Sequence, residues 1–255
     1  MFGSLLRALR PGAGPDAELA RALEAARAGR ATEAVRIWTG LAEMGVMRAM
    51  TNLGACFANG TGVAADPQAA RLWLERGAEA GDALGQRNLA TLLLRPNPAG
   101  AARWYGLAAE QGDAVSQNEL SRMLFEGDGV SVDLAGARTW AERAAAQGIA
   151  AAASRLGMMF HEAKGAPRDP AQAASWWHQA AKAGDGDAAA MLGAAYHMGQ
   201  GVAPDPVEAF AWLLLGSSRG SALVRPFMEP VDTGLVPERR REAEALAASR
   251  GWPGR

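Results

Sequence analysis

Few side chains in this sequence have chemistry to offer. Three histidines stand at positions 161, 178 and 197, and imidazole is the group suited to proton transfer and metal ligation near neutral pH. His161 and His197 are 36 residues apart, so a shared metal is conceivable. However, no cysteine or carboxylate set stands around them at ligand spacing. His178 is alone in its predicted helix and reads as a surface residue. The single cysteine, Cys56, excludes an internal disulfide, and its place in a helical apolar pattern suits a small buried side chain better than a nucleophile. Gly216-Ser217-Ser218-Arg219-Gly220 has the letters of a nucleophile elbow, which needs a strand before it and a helix after it; here it ends a helix. Gly127-Asp128-Gly129 lacks the third glycine and the preceding strand of a dinucleotide loop. No pair of carboxylates stands out for acid–base work. The chain is therefore expected not to be an enzyme and to need no cofactor or metal.

The elements that position these residues are copies of one unit. Tryptophans recur at Trp38, Trp73, Trp104, Trp140, Trp176 and Trp212, in steps of 35, 31, 36, 36 and 36 residues. Glycines recur in parallel at Gly45, Gly81, Gly112, Gly148, Gly184 and Gly220. A fixed period of this size marks a solenoid, in which each unit buries its apolar face against its neighbours. In the first full copy, Ala49, Leu53, Gly54 and Phe57 fall on one helix face. Gly60-Thr61-Gly62-Val63 ends that helix, and Asp66-Pro67 caps the next, a pair repeated at Asp169-Pro170 and Asp205-Pro206. The second copy keeps both helices but is five residues shorter in its turn, Arg95-Pro96-Asn97-Pro98. Ala163 replaces the first turn glycine of the fourth copy.

The totals agree with packed helices. The chain has 255 residues, 49% of them hydrophobic with much alanine, and a formal net charge of -1. The basic footprint of a nucleic-acid binder is missing, and no apolar run approaches the ~18 residues of a membrane span. Phe2, Leu5, Leu6 and Leu9 follow a helical spacing that fits either a surface-seeking helix or a frayed tail. The expected organisation is a flexible tail at 1–15, a capping helix pair at 16–45 opened by Asp16, five copies at 46–220, and a C-terminal cap at 221–255. Pro226 and Pro230 interrupt the start of that cap, and a last helix begins at Pro237. If packing is why the tryptophans recur, Trp140→Ala costs about 3–5 kcal/mol.

The pattern A-x3-L-G-x2-[YF]-x2-G-x-G-V-x2-D-x3-A-x2-W, closed by Ala-Ala and Gly, resembles the Sel-one-like repeat family over residues 46–220. The resemblance implies an all-α, right-handed α-solenoid of antiparallel helix pairs, related to tetratricopeptide arrays, that serves as an interaction scaffold or adaptor for a protein or peptide partner. Secreted cysteine-rich members staple each helix pair with a disulfide, which this chain cannot do, so the resemblance implies a cytoplasmic setting. Some relatives are claimed as hydrolases of cell-wall or β-lactam-like substrates. That alternative needs a nucleophile beside a base, and a third, a purely structural spacer, needs a groove without clustered charge or aromatics.

By analogy with tetratricopeptide arrays, a partner meets the concave face formed by the first helices. Counting from each marker leucine places Thr51, Arg87, Thr91, Asn118, Arg122, Phe125, Arg155, Met158, His161 and His197 there. Arg87, Arg122 and Arg155 with Phe125 suit an acidic or C-terminal peptide. A solvated helix face has the same composition, so the sequence leaves both open, and it does not set the oligomeric state.

Overall fold

The computed structural model describes residues 9–10 and 12–254, so the amphipathic pattern at Phe2, Leu5 and Leu6 lies outside the described residues. Fourteen α-helices and one short 3-10 turn, without a strand, make up the described residues. The pair preceding the full copies is α1 (Pro15–Arg27) and α2 (Ala31–Glu43). The copies follow as α3 (Met47–Asn59) with α4 (Pro67–Glu79), α5 (Ala83–Leu93) with α6 (Pro98–Glu110), and α7 (Ala114–Glu126) with α8 (Leu134–Ala146). Next come α9 (Ala150–Glu162) with α10 (Pro170–Lys182), and α11 (Gly186–Met198) with α12 (Pro206–Ser218). The chain ends in the turn Ala222–Val224, α13 (Arg225–Thr233) and α14 (Pro237–Ser249). This is an α-solenoid of antiparallel helix pairs. No helix among the described residues is long and apolar enough to cross a membrane.

The helix ends follow the chemistry of their letters. Asp66, Asp169 and Asp205 each accept hydrogen bonds from two backbone amides of the helix they precede, and each is followed by proline in the first turn. These amides have no partner inside the helix, so the carboxylate removes an unmet donor. Gly60 and Gly199 close their helices in the left-handed conformation, and Ala163 does so with φ 58°. At the start, Gly14 rather than Asp16 holds the cap position of α1, and Asp16 joins the first turn. Near the end, Pro226 sits in the first turn of α13, where its missing donor costs nothing. Nine helical residues thus form despite the internal Pro230.

The chain divides within α7 into two compact units, one running to Leu120 with Asp128–Val130, the other holding Ser121–Gly127 and everything from Ser131 on. The first unit is cored by Ala22, Ile37, Trp38, Leu41 and Leu53. In the second, Leu156, Phe160, Trp177, Leu192, Phe210 and Leu213 form the core, and Ala243 and Ala247 of α14 are buried within it.

Two kinds of glycine fix the joints, both present in the first, fourth and fifth copies. The glycine after the marker leucine lies under the bulky residue that follows the marker tryptophan: Gly54 under Leu74, Gly157 under Trp177, Gly193 under Leu213. The second turn glycine closes onto the backbone that begins the preceding copy's second helix, at Ala31 for Gly62, Pro98 for Gly129, Leu134 for Gly165 and Pro170 for Gly201. The marker tryptophans themselves are less buried than their recurrence suggests. Trp38 and Trp212 are inside, but Trp73, Trp104, Trp140 and Trp176 are only half-buried. The next position is the buried one, occupied by Leu74, Tyr105, Ala141, Trp177 and Leu213. The reason is angular: one residue further on turns a helix by about 100°, from its shoulder to its core face.

Candidate functional site

Four of the expected contact residues converge in the second unit. Phe125 at the end of α7 and Arg155, Met158 and His161 on α9 line a cleft of about 480 Å³. The α9 contribution is one helix face, Ala151, Ser154, Arg155, Met158, His161 and Glu162, spaced three and four residues apart as 3.6 residues per turn requires. The opposite face, with Ala152, Ala153, Leu156, Gly157, Met159 and Phe160, is buried. Trp177 of α10, Met191 of α11 and Leu223 complete the apolar lining, and Asp185 and Asp187 stand at the start of α11.

The rings are held against one another. His161 lies 5.4 Å from Trp177, and the Lys164 ammonium sits 5.6 Å from the Phe125 centroid. Arg155 donates to the Ser121 hydroxyl at 3.3 Å, which in turn donates to the Ala137 carbonyl at 2.7 Å. Ser121 and Ala141 hold the repeat positions that Gly157 and Trp177 hold in the next copy, where the large ring lies directly over the glycine.

The charges run against an acidic partner. Glu126, Glu162, Asp185 and Asp187 line the cleft together with a single guanidinium, Arg155. Arg122 is paired with Glu126, and Lys164 with Glu162 at 2.7 Å. In the first unit Arg87 is paired with Asp113 at 2.8 Å. Two of the three arginines expected at the contact face are thus engaged by carboxylates, and carboxylates outnumber cations along the cleft. The letters alone hide this because Asp185 belongs to the next copy's cap, where it accepts from the Ala188 amide.

Other expected positions go elsewhere. Thr51 is fully buried, its hydroxyl wedged where Gly77 and Gly85 bring their backbones together; two glycines from other helices close over it, so it is withdrawn from any contact surface. Asn118 is 9% exposed and donates to Glu119. Thr91 is exposed, shares a 3.0 Å hydrogen bond with the Tyr105 hydroxyl, and lines a separate cleft of about 600 Å³ in the first unit with Leu74, Leu92, Leu94 and Pro96. His197 stands outside both clefts, 6.3 Å from Phe227. The residues that counting missed are Trp177, Asp185, Asp187, Met191 and Leu223. Met191 and Asp187 share a face of α11, four residues apart, which is the signal that would have found them.

Each histidine thus rests on an aromatic ring, the third being His178 at 5.5 Å from Trp212. Cys56 is buried, and burial pushes its thiol pKa up, away from a reactive thiolate. Among the described residues no group of three His, Cys, Asp or Glu side chains is placed to hold a metal ion.

Comparison with known proteins supplies the remaining context. A Sel1 repeat protein from Oxalobacter formigenes superposes with a TM-score of 0.79 at 24% identity, covering 91% of this chain and 99% of its own. The c5321 protective antigen of uropathogenic Escherichia coli, which displays an SLR fold, superposes at 0.62 and 23% identity, with 93% of this chain covering 61% of that one. No curated protein matches by sequence. The Sel1 repeat model matches residues 48–82, 84–113, 114–149, 150–185 and 186–221, and the chain belongs to the Sel1 repeat family.

Proposed function

We propose that this protein is a non-catalytic interaction scaffold that holds a short extended segment of a partner protein in the cleft of its second unit. Sel1 repeats generally serve protein interaction, which is the starting point. The observation that carries the proposal is the convergence of Met158, Met191 and Phe125 on one open cleft, with the buried Trp177 as its floor. Unbranched methionine and flat aromatic side chains adapt to varied apolar groups and are enriched at binding surfaces. The acidic rim selects against acidic segments and favours a lysine or arginine next to the apolar anchor.

A peptide array probed with the purified chain tests this. Retained peptides are expected to pair an aliphatic or aromatic residue with a nearby lysine or arginine, and binding is expected to weaken with salt. Met191→Ala and Glu162→Lys should each weaken binding about tenfold, equivalent to about 1.4 kcal/mol, with helicity unchanged. Gln172→Ala, an exposed change in α10 away from the cleft, should have no effect. Retention of acidic peptides, or an equal loss in Gln172→Ala, would overturn the assignment.

A further inference from the structure

A second cavity of the second unit has the opposite electrostatic character. About 410 Å³ in size, it is lined by His178 and Lys182 of α10, Trp212 and Arg219 at α12, and Ser249 and Arg250 at the end of α14. Three cationic side chains from three elements meet there. Arg250 lies 4.4 Å over the Trp212 ring and grips Glu208 through two 2.8 Å hydrogen bonds. Arg219 is anchored by one nitrogen on the Ala181 carbonyl at 2.7 Å, which holds the guanidinium at the cavity.

Helix ends attract cations, since their carbonyls are unmet, yet the same positions in earlier copies do not carry them. Two and six residues after the marker tryptophan stand Glu75 and Glu79, Gly106 and Glu110, and Glu142 and Ala146; only at His178 and Lys182 does the character reverse. The repeat therefore does not require the basic pair. Counting Lys182, Arg219 and Arg250 against Glu208 leaves two positive charges around the cavity. The field is felt by the nearby imidazole: burial first, then Lys182 and Arg250, lower the His178 pKa, with Glu208 opposing them.

We propose that this cavity is a binding site for a phosphoryl group, taken up by Lys182 and Arg219 beside the Trp212–Arg250 wall. A dianion matches the two unbalanced charges, and a guanidinium and an ammonium are the usual partners of phosphate oxygens. The site lies apart from the peptide cleft and does not depend on it. A bound anion favours imidazolium, so phosphate must raise the titration midpoint of His178 from its depressed position.

Proton NMR titration of the three histidines in the full chain, with and without inorganic phosphate at matched ionic strength, reads this directly. His178→Gln assigns the resonance. The expected result is an upward shift of His178 alone. Lys182→Gln should abolish the phosphate response, and so should Lys182→Glu, which puts in place the charge that the first and second copies carry there as Glu79 and Glu110 and is expected to raise the midpoint by itself. A His178 midpoint that ignores phosphate, an equal shift in all three histidines, or an undiminished response in Lys182→Gln would overturn the site. Titration with a phosphoserine peptide beside glycerol phosphate separates the sources: tighter binding of the peptide identifies a protein-borne phosphate, and equal binding a small phosphate ester. Failure of the peptide-array experiment leaves this result untouched, and the converse also holds.

Discussion

The second and fourth copies begin from one pattern and resolve their joints differently. In the fourth copy Gly157 lies under Trp177, and the turn glycine Gly165 closes onto Leu134 at the start of α8. In the second, Ala90 and Tyr105 occupy the places of Gly157 and Trp177, and the tyrosine hydroxyl reaches Thr91. Its shortened turn leaves only Asn97 to cap α6, by accepting from the Gly100 amide. No glycine of that turn is left to close onto the start of α4. The surfaces differ accordingly: an aromatic and methionine cleft with an acidic rim beside α9, an aliphatic one beside α5. The comparison teaches that the repeat constrains the joints through glycine and bulk in pairs. The exposed face of each first helix is left free to specialise.

Breaking a turn joint should produce the largest effect. A methyl group at Gly201 would run into the Pro170 carbonyl, on a backbone with φ 77°. Overpacking of about 1–3 kcal/mol adds to a left-handed penalty of about 1–2 kcal/mol, offset by about 0.5–1 kcal/mol of unfolded-state entropy, so Gly201→Ala should lose about 1.5–4 kcal/mol in urea unfolding. Gly220, with φ 81°, has nothing within 4 Å of the same methyl, and Gly220→Ala should lose only the left-handed penalty less the unfolded-state entropy that alanine removes, about 0.5–1 kcal/mol. Equal losses would show that the turn does not seal the array.

The next comparison separates the marker tryptophan from its neighbour. Trp177 is 4% exposed, and Trp177→Ala should cost about 3–5 kcal/mol. Trp140 is half-buried, with Arg143 4.6 Å over its ring. Trp140→Ala should therefore cost about 1–2 kcal/mol, the share that partial burial and an exposed cation–π contact supply. Thermal or urea unfolding of the two variants decides it, and a larger loss at Trp140 would restore the marker to the core.

These residues also show what sequence can and cannot display. Helix ends were legible because Asp66, Asp169, Asp205 and the turn glycines act on their own backbone, within a few residues. The core position after each tryptophan was not, since Leu74, Tyr105, Ala141, Trp177 and Leu213 share a place and no letter. Phe125, Arg155, Met158 and His161 could be placed by counting, because the repeat fixes which way each helix position faces. Thr51 could not, since its burial is decided by Gly77 and Gly85 on other helices. The sign of the cleft's charge also escaped, because arginines read singly do not reveal their partners Glu126 and Asp113.

The smallest expected effect has the opposite sign and tests the turn chemistry of the fourth copy. Ala163 holds φ 58° at the end of α9, where Gly60 and Gly199 hold 68° and 65° in their own copies. An alanine there carries a left-handed penalty of about 1–2 kcal/mol. Glycine removes it but returns part through its larger unfolded-state entropy, about 0.5–1 kcal/mol. Ala163→Gly should therefore stabilise the chain by about 0.5–1 kcal/mol. Gly60→Ala is the mirror experiment, since its added methyl meets nothing closer than the Ala65 side chain at 3.5 Å, and it should lose a similar amount. Urea midpoints of the two variants, measured against the parent, are expected to move in opposite directions by comparable steps. A loss of stability in Ala163→Gly would mean that the Ala163 methyl contributes more than its backbone angle costs, and the fourth copy would then carry its alanine as a stabilising feature.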